Sequence, residues 1–243
     1  MISVCIATYN GEKYIVDQLL SILPQLSDKD EIIISDDKST DNTISIVEQL
    51  KSPIIRIIKN IGEHGYTSNF ENAIRHAKGD IIFLCDQDDV WLPYKVSSCL
   101  KELQHHDMII HNAYVIDGEG KIISDSYFKI RRSHSGALNN IIRFSHLGCC
   151  ITFRKTILKR ALPFPPNHAY CTHDNWIGII GMVYYNCKVT NEKLIYYRRH
   201  NKNTSLGGLK KSTSTFFKIK YRIYLIKWII NRHTLKNRNQ NIS

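Results

Sequence analysis

Asp80-Ile81-Ile82-Phe83-Leu84-Cys85 runs straight into Asp86-Gln87-Asp88-Asp89-Val90-Trp91-Leu92-Pro93. The first part reads as a buried strand, because a short apolar run that starts after Gly79 and ends in a polar turn suits a strand covered on both faces. The second part places three carboxylates within four positions at the end of that strand. In a parallel α/β sheet ligands bind at the carboxyl ends of strands, so these like charges point to a cationic partner. Mg²⁺ and Mn²⁺ take carboxylate oxygens and bridge to phosphates. The competing reading is a solvated acidic turn capping a helix after Pro93, but a cap needs one acid, not three.

Upstream, strand-like and helical stretches alternate. Ile2 to Ala7 reads as a strand, and Glu12 to Leu23 as a helix ended by Pro24, with Ile15, Val16, Leu19, Leu20, Ile22 and Leu23 at helical spacing. Glu31 to Ser35 is a second strand, followed by Ser39-Thr40-Asp41 as capping residues for a helix to about Leu50. Ile54 to Ile58 is a third strand, and a helix from Thr67 to Ala77 stops at Lys78-Gly79. This order predicts an α/β fold with a mostly parallel central sheet flanked by helices.

Downstream of residue 105 the rhythm changes. Met108 to Ile116 and Lys121-Ile122-Ile123 read as a hairpin about Gly118-Glu119-Gly120, and Cys149 to Phe153 as a strand. A helix starts near His173-Asp174, Glu192 to Arg199 is one more strand, and Lys210 to Lys236 is a basic, aromatic-rich helical tail.

The chain has 243 residues and a formal charge of +11, which alone suggests a nucleic-acid binder. The distribution argues otherwise. Residues 1–120 hold 10 basic and 19 acidic residues, whereas residues 121–243 hold 23 basic and 3 acidic. A nucleic-acid protein gives no reason for carboxylates at successive strand ends, so no nucleic-acid partner is expected. Forty-three per cent hydrophobic residues exclude disorder. No apolar run is long enough to span a membrane, and Met1 leads directly into a strand without a signal-peptide pattern, which predicts a cytoplasmic protein. The seven cysteines contain no C-x-x-C pair and read as reduced core residues.

The other strand ends are also polar. Asp36-Asp37 closes the second strand and Thr8-Tyr9-Asn10-Gly11 the first, with an aromatic ring suited to stacking on a base. Neither G-x-G-x-x-G nor a P-loop is present. A phosphorylated ligand would be held through metal.

Together these segments resemble the family-2 glycosyltransferases of the GT-A fold. Thr8-Tyr9-Asn10 resembles the family's opening turn, Ser35-Asp36-Asp37-Lys38-Ser39-Thr40-Asp41 its D-D-G-S-x-D nucleoside segment, and Asp86-Gln87-Asp88 its D-x-D metal motif. Lys38 stands where Gly is usual. The resemblance implies that Asp36 or Asp37 bonds the N3–H of uracil or thymine, and that Thr8 helps hold the nucleoside. It implies Asp88 as main metal ligand, with Asp86 facing the ribose or a metal-bound water. It implies residues 1–209 as the transferase domain, with a nucleotide-sugar half at 1–105 and an acceptor half at 106–209. Residues 210–243 form a basic amphipathic tail.

Asp174, in Thr172-His173-Asp174-Asn175-Trp176, is one of three acids after Lys121. It reads either as a helix N-cap or, by resemblance to the family's E-D or H-D acceptor motif, as the general base of an inverting transferase. His173 and Trp176 fall in that acceptor motif. Gly148, in Leu147-Gly148-Cys149-Cys150, resembles the small-residue turn near the acceptor cleft. Tyr197-Arg198-Arg199-His200-Asn201-Lys202-Asn203 resembles a Y-R-x-H-x-x-N segment of bacterial rhamnosyltransferase-like members. It implies His200 as a further metal ligand, with Arg198 and Arg199 on phosphate oxygens.

The function expected is inverting transfer of a sugar from a UDP- or dTDP-activated donor, with rhamnosyl as one possibility and galactosyl, glucosyl or N-acetylhexosaminyl as alternatives. The acceptor expected is a lipid-linked glycan of O-antigen or capsule assembly, and the cofactor Mn²⁺ or Mg²⁺. Lys202 to Ser243 hold 10 basic residues and no acid among many apolar ones. Such a tail suits peripheral attachment to the inner face of the cell membrane. Its apolar positions exceed one narrow stripe, so packing on the domain is the alternative.

Overall fold

The computed structural model describes residues 1–200 and 214–240. The domain boundary expected at residue 209 and the Asn201-Lys202-Asn203 end of the late motif lie outside the described residues.

The first half forms β1 (Ile2–Thr8), α1 (Ile15–Ile22), β2 (Glu31–Asp36), α2 (Thr43–Gln49), β3 (Ile55–Lys59), α3 (Tyr66–Arg75) and β4 (Ile81–Asp86). Its strands lie in the order β3-β2-β1-β4, and every neighbouring pair is parallel. All six residues of β2 are buried, as are six of seven in β1. That two-sided burial explains their continuous apolar character. Register places Thr8 opposite Asp36 and Ala7 opposite Asp86. The polar ends of three strands therefore stand at one level.

The second half adds β5 (Val90–Trp91), α4 (Lys95–Glu102), β6 (Met108–Ile116), β7 (Ile122–Ser124), α5 (Tyr127–Arg131), α6 (Ala137–Ile142), β8 (Ile151–Arg154), α7 (Leu158–Ala161), α8 (His173–Tyr184), β9 (Cys187–Arg198) and α9 (Thr215–Gln240). The sheet continues β4-β8-β6-β9-β5, with β7 paired to β6. Here only β6 and β9 are parallel, so the parallel first half passes into a mixed sheet.

Several boundaries differ from the sequence reading. The first helix begins at Ile15 rather than Glu12, because the amides of Tyr14 and Ile15 both turn back onto Gly11 O. Pro24 sits in a short 3₁₀ turn that continues the helix. Cys149 and Cys150 form a 3₁₀ turn ahead of β8, and β9 starts at Cys187, five residues earlier than expected.

One buried apolar cluster extends from Ile2 through both halves to Leu225 in α9. Six of the seven cysteines are buried, and all are free thiols. The tail helix splits its apolar residues between two sides. Tyr221, Tyr224, Leu225, Trp228 and Ile229 pack on the core, whereas Phe216, Ile219, Ile223, Ile226 and Ile230 are exposed. Tyr184 Oη donates to Ile229 O at 2.6 Å, which fixes the inner side. Among the described residues no helix is long and apolar enough to cross a membrane.

Candidate active site

The ends of β1 and β2 are tied by their own polar side chains. Asp36 accepts Ser39 N at 3.0 Å, Ser39 Oγ at 2.5 Å and Thr8 Oγ1 at 3.3 Å. Asp37 accepts Asn60 Nδ2 at 2.8 Å and Gly65 N at 2.7 Å, with His64 Nδ1 at 2.9 Å. Thr8 is buried, so its hydroxyl acts through Asp36 and Ser35 O. Lys38 has φ +66°, the left-handed region that Gly adopts without cost. The turn therefore keeps a glycine's geometry at Lys38.

Tyr9 and Asn10 stand beside this turn. Asn10 Oδ1 accepts Thr40 N at 2.8 Å. The Tyr9 ring is exposed and meets His64 edge-on at 4.9 Å. Its main chain is held from the acidic loop, since Gln87 Oε1 accepts Tyr9 N at 2.9 Å and Gln87 Nε2 donates to Tyr9 O at 3.0 Å. A side chain at Gly11 would meet Gln87 Oε1 at 2.3 Å, so this clamp requires glycine there.

The loop after β4 concentrates negative charge in a dry place. Asp86 is pushed up to about 7 by burial first, then by Asp88 and Asp174. Burial first, then Asp88 and Asp86, raises Asp89 well above the usual carboxylate range. Asp89 Oδ1 accepts Arg198 N at 2.9 Å, while Oδ2 is buried without a hydrogen bond. Asp88 Oδ2 lies 2.8 Å from His200 Nε2. Beneath them Lys95 is fully buried, its Nζ donating to Cys149 O at 2.8 Å and lying 4.2 Å from the Trp91 ring centroid.

This donor set suits a hard divalent ion. Carboxylate oxygens with one imidazole are the ligands such ions take, and the repulsion within the loop is what a cation would relieve. A second group, Asp86, Asp89 and Cys149, has ligand atoms within 4.8 Å of one another. Burial holds the Cys149 thiol protonated, which makes it a poor partner for Mg²⁺ or Mn²⁺. Asp88 and His200, with Asp86 alongside, would be the better holders of such an ion.

Arg198 departs from its expected place on phosphate. It is buried, its Nε donates to Asp88 O at 2.9 Å, and its guanidinium stacks over Tyr14 at 4.6 Å. A buried arginine oriented by carbonyls shapes the loop rather than meeting the donor. Arg199 is half-buried, and its amide donates to Ile116 O at 2.8 Å.

Asp174 lies in the first turn of α8, whose N-cap is Thr172. Its Oδ1 accepts Thr172 Oγ1 at 2.5 Å and Asn175 N at 2.8 Å, and the residue lines a cavity of about 470 Å³. One oxygen is thus fixed while the carboxylate borders open space. A Cβ on Gly148 would lie 3.1 Å from Asp174 Cβ, and the next residue, Cys149, has its ligand atom within 4.8 Å of those of Asp86 and Asp89, which sets Asp174 beside the acidic loop. His173 stacks on Phe70 at 3.9 Å, and burial pushes its imidazole down to about 4. A Cβ at Gly148 would lie 2.8 Å from His173 Nε2 and 3.1 Å from Asp174 Cβ, so that glycine lets α8 approach. Trp176, expected to face an acceptor, is instead fully buried with Nε1 donating to Ala161 O at 2.7 Å. It offers no ring to a sugar.

Residues 3–162 match the family model described as Glycosyl transferase family 2. The chain belongs to glycosyl transferase family 2. Among its curated relatives, dTDP-rhamnosyl transferase RfbG of Shigella flexneri is 28% identical, covering 89% of this chain and 76% of the relative. The Escherichia coli enzyme UDP-Glc:alpha-D-GlcNAc-diphosphoundecaprenol beta-1,3-glucosyltransferase WfaP is 27% identical, covering 87% and 82%. Solved structures agree on the fold. Staphylococcus aureus TarS in complex with UDP-GlcNAc superposes with a TM-score of 0.68 at 20% identity, over 96% of this chain and 72% of TarS. The mannosyltransferase PcManGT of Pyrobaculum calidifontis, bound to GDP-Man and Mn²⁺, gives 0.60 at 18% identity, over 98% and 64%. This family-2 chain is thus an α/β glycosyltransferase whose fold neighbours include enzymes holding nucleotide sugar and Mn²⁺.

Four residues of the site escaped the sequence reading. His64 and Tyr66 sit at the start of α3 with no motif around them, Gln87 fills the variable position of the acidic motif, and Lys95 reads as a surface helix residue. Tyr66 stands near both Asp174 and Asp86, and burial together with those charges pushes its phenol up to about 12. Gly65, between His64 and Tyr66, was the one available signal.

Proposed function

We propose that this glycosyltransferase moves a sugar from a UDP- or dTDP-activated donor to a hydroxyl of a lipid-linked surface glycan, with inversion at the anomeric carbon. The observation that carries the reading is Asp174, a carboxylate fixed by one oxygen and bordering a cavity near the acidic loop. Asp174 takes the proton from the acceptor hydroxyl as it attacks the face opposite the nucleotide. One displacement inverts the centre. Neutral His173 packs beside it and adds no positive charge next to Asp174.

On the donor side, Asp36 or Asp37 receives the base N–H, next to the rings of Tyr9 and His64 and the turn at Thr8 and Asn10. Arg199 is assigned to the donor phosphates. Asp88, Asp86 and His200 would hold Mn²⁺ or Mg²⁺, which supplies charge neutralisation on the diphosphate leaving group. Rhamnosyl, glucosyl, galactosyl and N-acetylhexosaminyl donors share this chemistry.

The exposed side of α9 supports peripheral attachment at the inner face of the cell membrane, because five large apolar side chains stand there on a helix without acidic residues. Residues 1–209 are the transferase domain in this reading, and the tail from residue 210 is its attachment.

The test is a thermal-shift screen of UDP- and dTDP-sugars with and without Mn²⁺ or Mg²⁺, followed by Asp174→Asn. Donor binding should survive that substitution and transfer should collapse. Full transfer by Asp174→Asn would remove the base from this mechanism.

A further inference from the structure

The cavity beside Asp174 carries more positive charge than a neutral sugar requires. It lies between α5, α6, the start of α8 and α9, and Arg131, Arg143, Lys218 and Arg222 line it. Among the described residues, Asp174 is the one carboxylate in its wall.

Main-chain oxygens orient the three arginines. Arg222 Nε and Nη2 donate to Ile142 O at 3.1 and 3.0 Å, Arg131 Nη2 to Phe144 O at 3.4 Å, and Arg143 Nη2 to Arg131 O. At Arg143 and Arg222 the carbonyl orients the guanidinium without cancelling its charge. The α9 wall is fixed at the level of the base, since Asn175 Nδ2 donates to Tyr221 Oη at 2.6 Å.

We propose that this cavity binds a phosphate or diphosphate ester carried by the acceptor sugar. The hydroxyl that Asp174 activates then belongs to the sugar that bears the phosphate. The inference rests on Asp174 as the base. Two facts favour it over an extended neutral glycan. A cavity of about 470 Å³ is near the small end of ligand sites, roughly 300 to 1,000 Å³, which suits one sugar with its phosphates. Arginine also presents paired donors that match phosphate oxygens, and a neutral ligand would cover Arg143, Lys218 and Arg222 without answering their charge.

One phosphate chemistry serves two sources, a lipid diphosphate or a soluble sugar phosphate. Isothermal titration of the full chain in EDTA, which removes metal-held phosphate, uses inorganic pyrophosphate as the probe. Binding should weaken about tenfold or more in Arg143→Gln/Arg222→Gln. It should weaken about threefold in Lys218→Glu, a half-exposed change that leaves the Arg222 tie between α6 and α9 in place. Decyl diphosphate binding about tenfold tighter than pyrophosphate, with the same dependence on these residues, assigns the phosphate to a lipid carrier. Equal affinity assigns it to a soluble sugar phosphate. Absent pyrophosphate binding, or binding equal in the wild type and both variants, overturns the proposal. Metal-dependent UDP binding on the same preparations reports the donor site, and Asp174→Asn transfer reports the base, so either reading can fail without the other.

Discussion

His200 Nε2 lies 2.8 Å from Asp88 Oδ2 across 112 residues of sequence. The contact brings the end of β9 onto the loop that follows β4, and Arg198, two residues earlier, fixes the same loop from its main-chain side. In the proposed reading this imidazole and carboxylate would be ligands of one ion. Asp88→Ala and His200→Ala should each lower Mn²⁺ affinity about tenfold or more, by titration calorimetry or by the spin resonance signal of free Mn²⁺. Unchanged affinity in both variants would place the ion elsewhere.

Gly148→Ala tests how closely α8 must approach. The added methyl would lie 2.8 Å from His173 Nε2 and 3.1 Å from Asp174 Cβ, inside contact distance for both. Overpacking of this kind costs about 1 to 3 kcal/mol, and here relief comes by displacing Asp174, the proposed base. Thermal unfolding should drop by several degrees, and kcat should fall more than KM for the donor rises. Equal kcat in the variant would show that Asp174 tolerates the shift.

The strands and helices from Ile2 to Asp86 were legible because each buries a continuous apolar run or a helical stripe. Asp36, Asp37, Asp86 and Asp88 could be singled out because they cluster at strand ends, and Asp174 because only three acids follow Lys121. What stayed hidden depends on contacts far apart in sequence. Helices α5 and α6 span five and six residues, too short for a period to show. The start of β9, Cys187–Glu192, is half-exposed and polar because it runs along β6 with one side open. Arg198 reads like a phosphate ligand until the fold gives it carbonyls, and Trp176 falls in an acceptor-like motif that does not show its burial within α8. Lys95 gains meaning only when three carboxylates fold above it.

Acid should destabilise the fold partly through His146. Burial pushes its imidazole down to about 4, against an ordinary value of 6.5, so the unfolded chain takes up the proton first as pH falls. Its contribution is intact above about pH 6.5, declines through the interval down to about 4, and then levels off. Carboxylates titrate in the same range, so a difference measurement is needed. His146→Gln should lose less melting temperature than the wild type between pH 7 and 4.5. Parallel curves would mean that His146 is charged in the folded protein.

The last prediction concerns the outer side of α9. Phe216, Ile219, Ile223, Ile226 and Ile230 recur at spacings of three and four, which aligns them along one line of the helix, and each is 45 to 67% exposed. Lys220 and Lys227 flank that line, and no acid occurs from Lys202 to Ser243, so two such helices would repel each other. An anionic bilayer meets both features, with each basic residue near the surface worth about 1 kcal/mol and each buried isoleucine about 1.5 to 3 kcal/mol. Wild-type protein should sediment with phosphatidylglycerol-containing vesicles and not with pure phosphatidylcholine. Ile223→Glu/Ile226→Glu should weaken that binding about a hundredfold while leaving the melting temperature unchanged, because both side chains already face water. Vesicle binding that survives the double substitution would move the attachment off this line, and failure of the wild type to bind anionic vesicles would remove membrane attachment through α9 altogether.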